Sequence, residues 1–253
     1  MSEQKFTPGR FVWRELMTTD AQKARAFYSE LFGWKIDTVP MGPGMNYDLV
    51  KAGAKEVGGM WQVEPGNPGP SLFMSYISVA DVDATAKLAT ENGGKVVHGP
   101  DDVPNIGRFV VLADFAGAIF VAFKSLQGDP APGMPGKGEF CWETLSTPDM
   151  ARAETFYSKV LGWKVMRNET GIPVFTTDGT PQGMVADLQK AENFPPNWMT
   201  YVVVDKVEPV TERATKLGGK VLVPVFEIPN VGRIALIADP VGAPLGLYQS
   251  LMG

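Results

Sequence analysis

The sequence contains a long internal repeat, which constrains the fold more than any single motif does. Residues 140–165 (FCWETLSTPDMARAETFYSKVLGWKV) match residues 11–36 (FVWRELMTTDAQKARAFYSELFGWKI) in register. A second match pairs residues 228–250 with residues 103–125. In a chain of 253 residues, a repeat on this scale predicts two similar domains of ordinary size.

Each half of the repeat divides again into two modules with the same order of elements. In the first module a strand at 11–16 precedes a helix, for which Thr19 or Asp20 supplies the cap and Gly33 the stop. Strands are expected at 33–36, 47–52 and 58–63. The second module repeats this order, with a strand at 75–79, a helix over 81–92 and strands at 95–99, 108–114 and 118–123. The chain is therefore predicted to hold four βαβββ modules.

A segment rich in proline and glycine, QGDPAPGMPGKG, separates the two halves at residues 127–138. Proline lacks the backbone N–H that a central strand or a helix interior requires, so this segment is predicted to be an extended linker. The expected domains are then residues 1–126 and 139–253. The alternative is that the segment is a surface loop of one larger domain.

Composition and charge exclude several classes of partner. The net charge is −5 and no run of Lys or Arg stands out, which argues against nucleic acid as the main partner. The single cysteine, Cys141, has no partner for an internal disulfide, and the first ten residues lack the apolar core of a signal peptide. No apolar run approaches a membrane span. These features predict a cytoplasmic protein without membrane contact.

Side-chain alternation on the first strand predicts a ligand-sized concavity. Trp13 and Glu15 share one face of that strand, together with Phe11, while Arg14 and Leu16 share the other. One face must cover the helices, and the other then lines the inside of a curved sheet. Two βαβββ modules can join into an incomplete barrel of this kind, and its open side is a natural site for a small ligand.

The repeated motifs resemble those of the vicinal oxygen chelate superfamily, which includes glyoxalase I, bleomycin-resistance proteins and extradiol dioxygenases. The motifs are TTD…FYSELFGW and TPD…FYSKVLGW, followed in each half by GGKV…GR…AD and a glycine. The resemblance covers almost the whole chain outside the linker and implies an α+β fold of two tandem glyoxalase-like domains, each a cup-shaped incomplete barrel. A shared fold does not by itself imply a shared activity.

The resemblance also implies where metal ligands would lie, and this chain departs from the pattern there. The first-strand ligands fall on Trp13 and Trp142, and on or near Met74 and Met199; the last-strand ligands fall on Val121 and Gly246, near Met60-Trp61 and near Val185-Ala186. Imidazole and carboxylate groups are the usual ligands of the metals in question. The chain is therefore predicted to bind no metal or other cofactor, and glyoxalase I or ring-cleaving activity is not expected.

Aromatic side chains are the expected lining of the two cups. Aromatic walls with one or two polar groups suit a flat or apolar small molecule, although the same side chains equally well pack a barrel solid. The candidate ligand-binding residues are Trp13, Trp61, Tyr76 and Phe123 in the first cup and Trp142, Thr144, Trp198, Tyr201 and Tyr248 in the second.

Glu15 is the candidate catalytic residue, since it shares the inward face with Trp13. A carboxylate beside indole rings is expected to be desolvated, which would raise its pKa and suit it to acid or base catalysis. Thr144 occupies the equivalent position in the second half, which would confine such chemistry to the first. The alternative is that Glu15 is a buried structural charge.

Several other polar residues are expected to be structural. Arg108 and Arg233 follow the repeated PNIG and PNVG turns and are predicted to brace them. Asp114 and Asp239 are predicted to bond to their own backbone in tight turns. His98, the single histidine of the chain, has Val223 as its counterpart in the second half.

Three functional hypotheses follow. The first is a metal-free module that binds a small apolar or aromatic molecule. The second is a glyoxalase-like or hydroxylase-like enzyme with Glu15 as its acid or base. The third is a scaffold with filled cups whose outer surface binds a partner. Either a monomer or a homodimer is expected. Proteins of this fold often pair sheets between chains, but the four modules of one chain can also pair with one another.

Overall fold

The four predicted βαβββ modules are present in the computed structural model, which describes residues 6–42, 45–64, 66, 69–187 and 195–251. The elements of the first half are β1 (Phe11–Thr18), α1 (Ala21–Phe32), β2 (Lys35–Gly42), β3 (Met45–Ala52), β4 (Lys55–Gln62), β5 (Leu72–Ser78), α2 (Val82–Glu91), β6 (Lys95–Val103), β7 (Gly107–Ala113) and β8 (Ile119–Ser125). Those of the second half are β9 (Phe140–Thr147), α3 (Met150–Leu161), β10 (Lys164–Arg167), β11 (Pro173–Thr177), β12 (Thr180–Asp187), β13 (Asn197–Val203), α4 (Val207–Lys216), β14 (Lys220–Ile228), β15 (Gly232–Ala238) and β16 (Pro244–Ser250).

The ends of α1 and α3 follow from the repeated motif. The side chain of Asp20 accepts a hydrogen bond from the N–H of Lys23 over 2.9 Å, and Asp149 accepts one from Arg152 over 2.9 Å. Each cap satisfies one of the N–H groups that lack a partner at a helix start. Gly33 and Gly162 then end these helices with φ of 71°, a conformation that favours glycine.

Each half of the sequence forms one mixed eight-stranded sheet. The strand orders are β2-β3-β4-β1-β5-β8-β7-β6 and β10-β11-β12-β9-β13-β16-β15-β14. Within each module the first strand pairs in parallel with the last, as in the alignments of Glu15 with Gly59 and of Tyr201 with Gly246. The predicted α+β class, with two tandem domains that each contain a pair of βαβββ modules, is confirmed.

Packing groups the chain into two compact units that combine modules from both halves. Unit 1 contains residues 1–12, 74–132 and 143–198, and unit 2 contains residues 13–73, 133–142 and 199–253. The core of unit 1 surrounds α3 and includes Phe120, Leu145, Phe156 and Tyr157. The core of unit 2 surrounds α1 and includes the corresponding residues Leu16, Phe27, Tyr28 and Leu245.

The repeated tyrosine and aspartate motifs meet within each unit. In unit 1 the hydroxyl of Tyr157 donates to Asp114 Oδ2 over 3.0 Å, and Asp114 Oδ1 accepts bonds from the N–H groups of residues 116–118. In unit 2 burial and the nearby Asp239 carboxylate raise the pKa of Tyr28. The predicted structural role of the two turn aspartates is confirmed, and the contact with the helix tyrosine explains why both copies keep both motifs.

The repeated arginines stabilise a helix start as well as a turn. Arg108 pairs with Asp83 in the first turn of α2 over 2.8 Å and with Asp102 over 3.0 Å. Arg233 pairs in the same way with Glu208 in the first turn of α4. These ion pairs with the first turns of α2 and α4 add to the predicted role of the arginines beside their turns.

Residues 127–138 contain neither helix nor strand, as expected of a linker. Both parts of the segment are nevertheless anchored: Asp129 accepts a hydrogen bond from the N–H of Thr7 over 2.6 Å in unit 1, and the carbonyl of Gly138 accepts one from Trp34 Nε1 over 2.8 Å in unit 2. Across the described part of the chain, no helix combines the length and the apolar character needed to cross a membrane.

Candidate functional site

A row of three side chains lies on one face of the β1–β4–β3 strands in unit 2. The indole Nε1 of Trp13 donates to Tyr47 Oη over 2.9 Å. The carboxylate of Glu15 lies beside this hydroxyl, close enough for its charge to raise the pKa of Tyr47. Trp13 and Glu15 stand two residues apart on β1, so the alternation of the strand directs both to the face where Tyr47 meets them.

A glycine in β4 makes this row possible. Gly59 is paired with Glu15 on one side and with Leu49 on the other. A Cβ atom at Gly59 would lie only 1.6 Å from Tyr47 Oη. The side chain of Tyr47 therefore passes over β4 at Gly59, which has no side chain to obstruct it, and its hydroxyl reaches β1.

Burial sets the protonation state of Tyr47. Desolvation, followed by the negative charge of Glu15, raises the pKa of Tyr47 far above its ordinary value, and the hydrogen bond from Trp13 opposes this shift only in part. The phenol therefore keeps its proton at neutral pH. Its hydroxyl accepts a hydrogen bond from Trp13 and keeps its own hydrogen beside the Glu15 carboxylate.

Trp61 extends the aromatic surface beside this row. It follows Met60 on β4 and is aligned with Met17 of β1. Its ring centroid lies 6.3 Å from that of Tyr47 at an interplanar angle of 42°. Trp13, Glu15, Tyr47 and Trp61 are all partly exposed, and together they are called the Trp13–Tyr47 site below.

The other predicted residues of the first half form a pair in unit 1. Tyr76 and Phe123 make an edge-to-face contact with ring centroids 5.7 Å apart. Phe123 packs closely over Gly107, where a Cβ atom would lie 2.7 Å from the ring. These two aromatics are therefore neighbours, while their role in ligand binding stays a prediction.

In the second half, several predicted residues pack on one another in unit 2. Trp142 and Tyr248 border a cluster formed by Met199, Tyr201 and Ile234. The ring of Tyr201 covers Gly246, where a Cβ atom would lie 2.2 Å from it. Tyr248 donates to the carbonyl of Val231 over 2.9 Å.

Thr144 belongs to unit 1, where it is buried and aligned with Met184.

Trp198 lies in the core of unit 1. Its Nε1 donates to the hydroxyl of Tyr157 over 2.8 Å, and its ring packs edge-on against Phe11 at 5.4 Å. Only 5% of Trp198 is exposed. This packing accounts for the side chain as part of the core, and its predicted role as a ligand contact stays a prediction.

The side chains at the expected metal-ligand positions do not fit a divalent metal ion. Trp13 donates its only polar hydrogen to Tyr47, and Met60 and Val121 are buried apolar side chains. The Tyr201 ring covers Gly246. Among the described residues, no group of three or more His, Cys, Asp or Glu side chains is placed to hold an ion.

His98, the single histidine of the chain, pairs with Asp101 over 3.0 Å at an exposed position.

The sequence did not predict a role for two residues, Tyr47 and Glu143. Tyr47 has no counterpart in the repeated motifs, but a glycine inside a strand often marks a close approach by another group, and Gly59 was such a signal. Glu143 is completely buried and accepts a hydrogen bond from Ser75 Oγ over 3.0 Å. It lies on the face of β9 opposite to Trp142 and Thr144, and no sequence pattern distinguishes it.

Comparison with known proteins gives the family. The model of the Glyoxalase/Bleomycin resistance protein/Dioxygenase superfamily matches residues 10–121 and 142–247. The chain therefore belongs to this superfamily, as the repeated motifs indicated.

Relatives and solved structures of this superfamily cover almost the entire chain. The chain is 30% identical over 241 residues to "Putative glyoxylase CFP32" of Mycobacterium tuberculosis, with 91% of each protein covered. It is 31% identical over 266 residues to "Anthracycline biosynthesis protein DnrV" of Streptomyces peucetius, with 97% of this chain and 94% of that protein covered. The Mn(II)-bound glyoxalase from Novosphingobium aromaticivorans has the same fold, with a TM-score of 0.64 at 14% identity over 97% of this chain and 83% of that one.

Proposed function

We propose that this protein binds a small aromatic molecule at the Trp13–Tyr47 site. The observation that carries the proposal is the hydrogen bond from Trp13 to Tyr47, with the Glu15 carboxylate beside it and the partly exposed ring of Trp61 next to Tyr47. Aromatic rings offer a flat ligand a large contact area at low conformational cost, and a few fixed polar groups orient it. In this proposal the side chains alone bind the ligand, and no metal takes part.

The first half is the better candidate because the rings and polar groups of the Trp13–Tyr47 site are less buried than the predicted site residues of the second half. In the second half Thr144 and Tyr201 are buried, whereas all four side chains of the Trp13–Tyr47 site are partly exposed. A relative of nearly the same length is named as an anthracycline biosynthesis protein. That name supports a polycyclic aromatic ligand as the first class to test.

The test is a titration of the protein with 9-anthracenemethanol, a neutral tricyclic aromatic alcohol, by isothermal titration calorimetry. Trp61→Leu is expected to weaken binding about tenfold, because it removes a ring face worth about 1.5 kcal/mol. The matched variant Trp142→Leu, in the second half, is expected to change the affinity less than about twofold. Binding that Trp142→Leu weakens and Trp61→Leu does not would move the site to the second half. The absence of binding would contradict the proposal for this ligand class.

A second candidate function is an enzyme in which Glu15 acts as the acid or base. The observation that favours it is the position of the Glu15 carboxylate beside the Tyr47 hydroxyl, a pair of groups that can hold and release a proton. A relative carries the name of a glyoxylase, which is an enzyme. A lone carboxylate without a metal or a second acid or base seldom makes an active site, which is why binding is the main proposal.

The two functions differ in what Glu15→Gln does. A ligand that copurifies with the protein, or that binds in the titration, is incubated with wild-type protein and followed by mass spectrometry. An enzyme is expected to change the mass of that compound, and Glu15→Gln is expected to abolish the change. A compound that stays intact after prolonged incubation with wild-type protein supports the binding function instead.

A further inference from the structure

We infer that the Trp13–Tyr47 site selects aromatic ligands that carry a protonated amine. This inference rests on the proposed function, and it narrows the class of ligand from aromatic molecules in general to aromatic cations. It follows from three properties of the site: the charge it contains, the way its hydrogen-bond donors are already used, and the aromatic rings around it.

Glu15 is the single ionisable carboxylate among the four side chains of the site. Tyr47 remains a neutral phenol at physiological pH, because burial and the charge of Glu15 both oppose its ionisation. The two tryptophans carry no charge. The site as a whole therefore presents a negative charge in a partly desolvated setting, where a cation is attracted more strongly than it is in water.

The hydrogen-bond donors of Trp13 and Tyr47 are directed within the site. The N–H of Trp13 donates to Tyr47 Oη, and the hydroxyl of Tyr47 lies beside the Glu15 carboxylate. The hydrogen-bonding capacity that this row offers a ligand is that of an acceptor, since a carboxylate accepts and does not donate. A ligand carboxylate or phosphate would meet a like charge, whereas an ammonium group supplies both the donor and the opposite charge.

The rings next to the carboxylate suit a cation as well as a flat molecule. Tyr47 and Trp61 lie 6.3 Å apart and are tilted by 42°, so their faces are not stacked against each other. Trp13 joins them through its hydrogen bond to Tyr47. A cation within about 6 Å of such a ring face is attracted by its quadrupole, and tryptophan is the most favourable partner.

The second half of the repeat supplies a natural contrast. Thr144 stands where Glu15 stands in the first half, and it is buried. The second half therefore has an indole at position 142 but no charge at the position that follows it on the same face. Glu15→Thr transfers this feature to the first half with a residue that the repeat already tolerates on this strand.

The experiment compares two probes that differ only in the charged group. The protein is titrated with 9-(aminomethyl)anthracene, which is protonated at pH 7, and with the neutral 9-anthracenemethanol. Wild-type protein is expected to bind the amine about tenfold more tightly than the alcohol, as a cation–π contact and a partly buried ion pair together provide. In Glu15→Gln and in Glu15→Thr this ratio is expected to fall to about twofold or less.

A matched control removes the same charge elsewhere. Glu56→Gln also changes a glutamate of the same module, on β4, but Glu56 is more than half exposed and lies 3.9 Å from Lys51. It is expected to keep the wild-type ratio, which excludes an effect of the net charge of the protein. Thermal unfolding of each variant checks that the protein remains folded, and Glu15→Thr serves where Glu15→Gln does not fold.

The outcomes separate this inference from the proposed function. Equal affinity of wild-type protein for the two probes would overturn the selection of amines while the binding of aromatics still stood. A preference that persists in Glu15→Gln or Glu15→Thr would also overturn it. Failure of both probes to bind wild-type protein would reject the proposed function for this ligand class, and this inference with it.

Discussion

At the scale of single residues, the site depends on Tyr47. Its hydroxyl accepts a hydrogen bond from Trp13 and lies beside the Glu15 carboxylate, so it meets two side chains of β1. The alternation of β1 correctly placed Trp13 and Glu15 on one face. It did not extend to Phe11, whose ring packs against Trp163 in the core of unit 1. Alternation describes a regular strand, and Phe11 stands at its first position.

The two helix tyrosines provide a matched pair for a stability measurement. In unit 1 the Tyr157 hydroxyl bonds to Asp114 Oδ2 and accepts from Trp198 Nε1 over 2.8 Å, all of them buried. Tyr157→Phe leaves both partners without that bond. The free energy of unfolding is expected to fall by about 2–4 kcal/mol, since each buried polar group left unsatisfied costs about 1–3 kcal/mol.

Tyr28→Phe is the control for this measurement. Tyr28 is equally buried and lies near the Asp239 carboxylate, but neither its hydroxyl nor Asp239 Oδ2 makes a hydrogen bond of ordinary length within the described structure. Loss of the Tyr28 hydroxyl is expected to lower the free energy of unfolding by less than about 1 kcal/mol. Urea unfolding followed by circular dichroism measures both variants. Equal losses would show that the Tyr157–Asp114 bond adds nothing to the burial of the ring.

At the scale of elements, the absence of a side chain in β4 determines where β3 can send its tyrosine. Strand β4 lies between β3 and β1, and any side chain at Gly59 would occupy the path of Tyr47. The repeated sequence motifs predict where the helices begin and end, because those motifs are local in sequence. They do not predict that Tyr47 passes over β4, because this contact depends on the register of three strands.

Gly59→Ala tests the crossing. The added methyl group would overlap Tyr47 Oη, so Tyr47 must leave its position and release Trp13 and Glu15. Stability is expected to fall by about 1–3 kcal/mol, as for other overpacked sites. Binding of the aromatic probe is expected to weaken at least as much as it does in Trp61→Leu.

Gly133→Ala is the matched control for the same substitution, because a Cβ atom at Gly133 would meet no atom within 4 Å. It is expected to change the free energy of unfolding by less than about 0.5 kcal/mol. Thermal unfolding and calorimetric titration give the two readouts. A Gly59→Ala protein with unchanged stability and unchanged binding would show that Tyr47 does not need this path.

At the scale of the whole molecule, the sequence repeat and the packing divide the chain differently. The repeat runs from the first half to the second, and each half forms one sheet. The compact units instead combine the second module with the third and the first with the fourth. The Tyr157–Asp114 bond in unit 1 is an example, since it joins a helix of the second half to a turn of the first.

This division leads to a prediction for the isolated first half. A chain of residues 1–126 contains Asp114 and Phe120 but lacks Leu145, Phe156 and Tyr157, with which they share a core. It is therefore expected to be unfolded or to self-associate, because it cannot bury this surface by itself. Size-exclusion chromatography and thermal unfolding measure this, and coexpression with residues 127–253 is expected to restore a folded complex.

A monomeric first half that unfolds cooperatively would contradict this expectation. It would support instead residues 1–126 and 139–253 as independently folding domains, which is the division that the repeat and the linker predict. The cytoplasmic location and the choice between monomer and homodimer likewise remain predictions.

The sequence by itself determined the four modules, the helix ends, the family and the face on which Trp13 and Glu15 lie. These features depend on residues that are close together in the chain: a cap before a helix, a glycine after it, and alternation along one strand. The tertiary structure alone decided that Tyr47 meets Trp13 and Glu15, that Trp198 lies in a core, and which modules pack together. Those outcomes depend on strand register and on the burial of surfaces far apart in sequence, and no local pattern records either.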